Sequence, residues 1–167
     1  MRVLGIDPGT RHLGWGVLDQ TGTKITHVDH GVVSPEERLT LADRLVYLDE
    51  ALEHIIDKYR PNAAAVEAIF FSKDAQAAAK LGHARGVVLL RLARAQTPTF
   101  EYPPARVKRA VTGRGAASKD QVAHLVGALL GLGGPPRHDA ADALANAFTH
   151  LAMAKFAAAL SASTRRP

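Results

Sequence analysis

Residues 2–10 read Arg2-Val3-Leu4-Gly5-Ile6-Asp7-Pro8-Gly9-Thr10, a short apolar run that stops at a carboxylate and a Pro-Gly turn. It is too short for a helix and is closed by turn chemistry, so Arg2–Asp7 is predicted as a buried strand. A hairpin follows. His12–Asp19 alternates through Leu13, Trp15 and Val17, Thr21-Gly22-Thr23 turns the chain, and Lys24–Val33 is a third strand. Gly14 and Gly16 strip one face of the second strand, which invites a backbone or a ligand to approach closely. From Arg38 to Tyr59 the period changes: Leu41, Leu45, Leu48, Leu52, Ile55 and Ile56 recur at three- and four-residue spacing, the pattern of a long amphipathic helix ending before Pro61.

Asn62–Glu67 is then a fourth strand of small residues that again ends on a carboxylate. A helix is predicted from about Asp74 to Ala95, with Gly82 and Gly86 four apart where another helix can pack tightly. Thr97–Tyr102 is a fifth strand, Val107–Val111 a brief helix, and Ser118 with Gln121 forms a capping-box pattern that opens a helix to about Leu130. The last helix runs from near Asp139 to Leu160. The order β-β-β-α-β-α-β-α-α-α predicts an α/β fold, one five-stranded mixed sheet with helices on both faces. Residues 1–160 are expected to form a single domain and 161–167 a frayed tail.

Composition narrows the chemistry. The chain has 167 residues, and 21 Lys+Arg against 16 Asp+Glu leave a net charge of +5, compatible with a polyanionic partner. Zero cysteines rule out disulfides, thiolate zinc sites and a cysteine nucleophile. Met1–Gly9 lacks the long apolar core of a signal peptide, and Asn146, His150 and Lys155 interrupt the longest apolar stretch, Ala143–Leu160. The expectation is a cytoplasmic protein without a membrane span.

Four carboxylates stand out. Each has a plain explanation alone: Asp-Pro-Gly is ordinary turn chemistry, Glu67 can be a solvated strand end, and Asp139 with Asp142 can cap a helix. Together they point to a site. The strands ending in Asp7 and Glu67 are joined by a long helical crossover, which makes them candidates for parallel neighbours with their carboxyl ends on one sheet edge. Asp139 and Asp142 are three apart, hence on one helix face, separated by two alanines that allow close approach. Clustered carboxylates repel without a cation, and an all-oxygen set selects Mg²⁺, or Mn²⁺, over zinc. Two such ions roughly 4 Å apart would suit in-line hydrolysis of a phosphodiester. His138 can serve as a further ligand or proton relay, or be a solvated histidine at a helix start.

Arg106, Lys108, Arg109, Arg114 and Lys119 form a basic stretch beside a capped helix start, suited to phosphate oxygens. Phe70-Phe71 and Lys73 follow Glu67 closely, and two successive aromatics point to different sides, leaving one able to stack on or wedge between bases.

At these residues the chain resembles the RuvC family of Holliday-junction resolvases, which have a ribonuclease H-like fold. The likeness runs through Gly5-Ile6-Asp7-Pro8-Gly9-Thr10, Val66-Glu67-Ala68-Ile69-Phe70, Lys80-Leu81-Gly82-His83-Ala84-Arg85-Gly86, Val107-Lys108 and Asp139-Ala140-Ala141-Asp142-Ala143-Leu144-Ala145. It implies a homodimer that binds a four-way DNA junction and nicks two strands of like polarity. Asp7, Glu67, Asp139 and Asp142 would be the Mg²⁺-binding catalytic acids, Phe70 the base-contacting aromatic, and Lys108 and Lys119 the phosphate contacts. The region of Gly82 and Gly86 would contribute to the dimer interface, and a branch-migration motor would be the partner. In some family members a histidine replaces the first aspartate of the last pair; here Asp139 is present and His138 precedes it, which leaves the role of His138 open. The competing readings are a ribonuclease H-like enzyme that processes RNA, an actin-like ATPase, which needs a second domain, and a non-catalytic junction binder with no use for four acids.

Overall fold

The computed structural model describes residues 1–68 and 75–163. Three strands open the chain, β1 (Arg2–Asp7), β2 (Leu13–Thr21) and β3 (Lys24–Val33), followed by α1 (Leu41–Tyr59) and β4 (Ala63–Glu67). Then come α2 (Ala75–Arg94), β5 (Thr99–Tyr102), α3 (Pro104–Thr112), α4 (Lys119–Leu129) and α5 (His138–Ser163). The sheet order is β3-β2-β1-β4-β5, with β1–β4 and β4–β5 parallel and the hairpin pairs antiparallel. The predicted element order and mixed sheet are observed.

Several boundaries move for local reasons. α1 begins at Leu41 rather than Arg38 because Thr40 caps it, its hydroxyl accepting from the Asp43 N–H. β5 begins at Thr99, since Pro98 has no N–H to give the ladder. α3 starts at Pro104, three residues before the predicted Val107, because proline is favoured in a first helical turn. α4 is opened by the expected capping box of Ser118 and Gln121. α5 continues to Ser163, past Leu160.

Strand alternation divides the core into two layers. Leu4, Ile6, Ala64 and Val66 face α1 and α2, where they meet Leu48, Leu52, Val88 and Leu92. Val3, Leu18 and Ala65 face the opposite layer and meet Val107, Val126, Leu144 and Leu151 of α3, α4 and α5. Helices therefore cover both faces.

The α5 layer depends on glycine. Gly5 of β1 pairs with Gly16 of β2, and Asp7 pairs with Gly14. A Cβ on Gly5 would stand 1.8 Å from the Ala143 carbonyl oxygen, one on Gly14 1.9 Å from that of Asp139, and one on Gly16 2.5 Å from the Leu144 side chain. The bared face anticipated at Gly14 and Gly16 thus receives a helix backbone. Ala140, Ala141, Ala143 and Ala147 supply the matching small surface. By contrast, a Cβ on Gly82 or Gly86 meets nothing within 4 Å, so among the described residues no helix packs against these two positions.

Gly5→Ala should destabilise the fold by at least about 1–3 kcal/mol, the usual cost of overpacking, because its neighbours are backbone atoms that cannot rotate away. Gly133→Ala, whose Cβ would enter open space, should stay within roughly 0.5 kcal/mol of wild type. Urea denaturation of both variants checks the contrast, and equal stabilities would contradict the close approach.

Candidate active site

Asp7 is the last residue of β1 and Glu67 the last of β4. Their strands run parallel, with Ile6 beside Val66, so the two carboxylates are neighbours at one sheet edge. They also share a face: Asp7 is four residues from Val3 and Glu67 two from Ala65, both in the α5 layer. The Asp139 carbonyl lies over Gly14, the register partner of Asp7. The first turns of α5 therefore bring Asp139 and Asp142 onto the edge where Asp7 and Glu67 end. Asn146, one turn beyond Asp142, donates through Nδ2 to the Ile6 carbonyl at 3.1 Å and fixes α5 along β1 just before Asp7.

The electrostatics follow from this crowding. Asp7 is pushed up to about 8, first by burial and then by the charges of Asp142, Glu67 and Asp139, with Lys119 opposing. Glu67 is raised by burial and by Asp142, with Lys119 and Lys108 pulling the other way. Lys119 Nζ stands 3.3 Å from Asp142 Oδ2, and this carboxylate is the main cause that raises the lysine's pKa. The four acids thus share one field, with two lysines within its reach. Among the described residues, no three His, Asp or Glu side chains close into a ready-made ion cage. The set is a cluster of hard oxygen donors short of positive charge, a chemistry that fits a hard divalent cation.

The other predicted residues separate. His138 Nε2 lies 3.3 Å from Asp120 Oδ1 of α4, so the imidazole has a carboxylate partner outside the four acids. Lys108 is close enough to act on Glu67. Arg109, the next residue on α3, instead lines a groove with Arg106, Ala152 and Met153, because neighbouring helical positions point about 100° apart. Arg114 borders a different hollow, with Ala117, Gln121 and Leu125. Phe70, Phe71 and Lys73 lie outside the described residues. Two residues at the site had no assigned role from sequence: Asn146, read only as a break in an apolar stretch, and Arg85, which donates through Nη1 to the Glu67 carbonyl at 2.5 Å. A polar residue on the inward stripe of an otherwise apolar helix is the signal for both.

Residues 3–150 match the family profile of RuvC, the crossover junction endodeoxyribonucleases. A protein of that name from Sorangium cellulosum is 64% identical over 163 residues, covering 98% of this chain and 91% of the relative. One from Myxococcus xanthus is 50% identical, covering 90% and 80%. Among solved structures, Thermus thermophilus RuvC in complex with a Holliday junction substrate superposes with a TM-score of 0.87 at 38% identity, covering 94% of this chain and 96% of that one. The yeast mitochondrial resolvase Ydc2, at 15% identity and a TM-score of 0.61, shares the fold.

The raised Asp7 sets a pH dependence. The folded protein keeps a proton on Asp7 up to about 8, whereas the unfolded chain releases it near 3.8. Between those values the folded state binds the extra proton, so stability in EDTA should fall as pH rises, with Asp7 contributing about 1.4 kcal/mol per pH unit. Asp7→Asn should flatten the slope and be the more stable protein at pH 8. Urea denaturation at pH 5 and pH 8 checks this, and an unchanged slope would mean that Asp7 does not carry the raised pKa.

Proposed function

The chain belongs to the RuvC family of crossover junction endodeoxyribonucleases and is a nuclease that resolves four-way DNA junctions, and we propose that Asp7, Glu67, Asp139 and Asp142 are the acids that carry its cut. The observation supporting this reading is the shared field of four half-buried carboxylates drawn from β1, β4 and α5, with Lys108 and Lys119 reaching into it. A binder without catalysis has no use for that arrangement, which costs stability through burial and repulsion.

The residues that would hold metal are these four acids, with Mg²⁺ as the favoured ion, Mn²⁺ as a substitute, and two ions per site. Bound there, the cations would activate water for attack on the phosphodiester and stabilise the leaving oxygen. The protein's own groups do the positioning. Asp7 and Glu67 are held by paired strands, Asp139 and Asp142 by a helix seated on the glycine face and tied to β1 through Asn146. Lys119, free to leave Asp142 when another positive charge arrives, would turn to a phosphate oxygen next to the scissile bond, and Lys108 would hold a neighbouring one.

Cutting two strands of like polarity symmetrically calls for two copies of the chain. The open surface at Gly82 and Gly86, continued one turn on by the exposed Leu90, supports that side of α2 as the shared face. Phe70 is proposed as the aromatic that contacts bases at the crossover, and Phe71, Lys73, Arg109 and Arg114 as further DNA contacts. A branch-migration motor is the partner that the family resemblance implies, and the cytoplasm is the proposed location. Among the described residues no helix is long and apolar enough to cross a membrane.

With Mg²⁺, the wild type should nick a synthetic four-way junction and spare a matched linear duplex. Asp7→Asn and Glu67→Gln should lose at least about 100-fold in cutting, the upper end of what supporting residues at metal sites cost, while still binding the junction. Equal cutting of both DNAs by the wild type, or full cutting by the variants, would overturn the reading. For the basic residues, Lys108→Gln should reduce the slope of log affinity against log salt by about 0.9, the release expected for one phosphate contact. An unaltered slope would remove Lys108 from the DNA interface.

A further inference from the structure

Arg85 is a buried cation in an apolar layer. It lies on α2 beside Ala84 and one turn before Val88, both fully buried, and its own side chain is only 7% exposed. The guanidinium reaches two elements at once. Nη1 donates to the carbonyl of Glu67, the last residue of β4, at 2.5 Å, and Nη2 lies 2.6 Å from Glu101 Oε2 on β5. Glu101 is the register partner of Val66 and Tyr102 that of Glu67, so Arg85 ties the ends of the parallel pair β4–β5 to α2. The side chain also borders a cavity of about 30 Å³ shared with Asp7, Pro8, Glu67, Ala68 and Leu81. It therefore stands next to two of the acids, bonded to the backbone of one.

An ordinary packing role would not call for this residue. Val88 and Leu92 continue the same inward stripe with aliphatic side chains, and a buried charge carries a desolvation penalty that an aliphatic residue avoids. What arginine adds is a rigid planar fork that donates in two directions, a geometry lysine cannot reproduce.

We propose that Arg85 is a positioning residue for strand cutting: aimed by Glu101, it holds the Glu67 carbonyl so that the Glu67 carboxylate is presented beside Asp7 and Asp142. This rests on the reading of Glu67 as one of the metal-holding acids. The device makes the site sensitive to α2, since a shift of that helix would pull on Glu67 through a single hydrogen bond.

The test uses the full-length protein on a pre-bound four-way junction in single-turnover cutting with Mg²⁺. Arg85→Met should slow the cut by about 10–100-fold, as for residues that support metal ligands, with junction affinity within about threefold of wild type. Arg85→Lys should recover only part of the rate, and Glu101→Gln should slow cutting in the same direction but less. Mn²⁺ titration of each junction complex by electron paramagnetic resonance should show weaker ion binding in Arg85→Met and Glu101→Gln. A merely structural arginine would lower the melting temperature and leave the rate per folded molecule and the Mn²⁺ affinity unchanged, and that result overturns the proposal. Should Arg85→Met fail to fold, Arg85→Lys and Glu101→Gln carry the same comparison, because both keep polar groups at the contact. Glu67→Gln separates the two claims. If it cuts at the wild-type rate, the assignment of Glu67 fails; if it is inactive while the Arg85 and Glu101 variants cut and bind Mn²⁺ normally, only the positioning role fails.

Discussion

The contact on which the site depends is backbone against backbone, the first turns of α5 laid on the glycine face of β1 and β2. Any side chain at Gly5 or Gly14 would occupy the positions of the Ala143 and Asp139 carbonyl oxygens. Close-packed interiors transmit such a displacement. Lifting the helix by the thickness of a methyl group would carry Asp139 and Asp142 away from Asp7 and Glu67. The same contact that closes the α5 layer of the core therefore assembles the four carboxylates, and Asn146 on the Ile6 carbonyl sets how far along β1 the helix lies.

Assembly of the four acids has an electrostatic cost. Burial and three acidic neighbours leave Asp7 protonated to about 8 in the absence of a cation. Lys119 offsets part of the repulsion from its place beside Asp142. A bound divalent ion would supply more charge at shorter range to more of the acids, which gives Lys119 a reason to change partners. The lysine in the protein alone and the lysine on DNA would thus be one group serving two anions in turn.

Much of this was legible in the chain. Arg2–Asp7 and Lys24–Val33 were read to the residue, because apolar runs bounded by turn chemistry admit few alternatives. The Ser118 capping box was equally local. The two strand-end carboxylates could be placed together because a helical crossover makes neighbouring parallel strands end on the same side. What could not be read was tertiary. Nothing near Gly14 says that the Asp139 carbonyl is what covers it, and nothing near His138 says that Asp120 is its partner. Arg109 was grouped with Lys108 because the two are adjacent in sequence, whereas adjacency on a helix means divergence in space. Arg85 passed as one residue in a family-like block, since its meaning lies in a carbonyl eighteen positions away.

Residues from β1, β4 and α5 would together form one metal-holding centre. The most direct measurement is an anomalous difference map from crystals of the protein soaked in Mn²⁺. Such a centre should give peaks bounded by Asp7 together with Glu67 and with the Asp139–Asp142 turn, and Lys119 displaced from Asp142. Peaks elsewhere on the protein, with Lys119 still against Asp142 and no density among the four acids at saturating Mn²⁺, would contradict it.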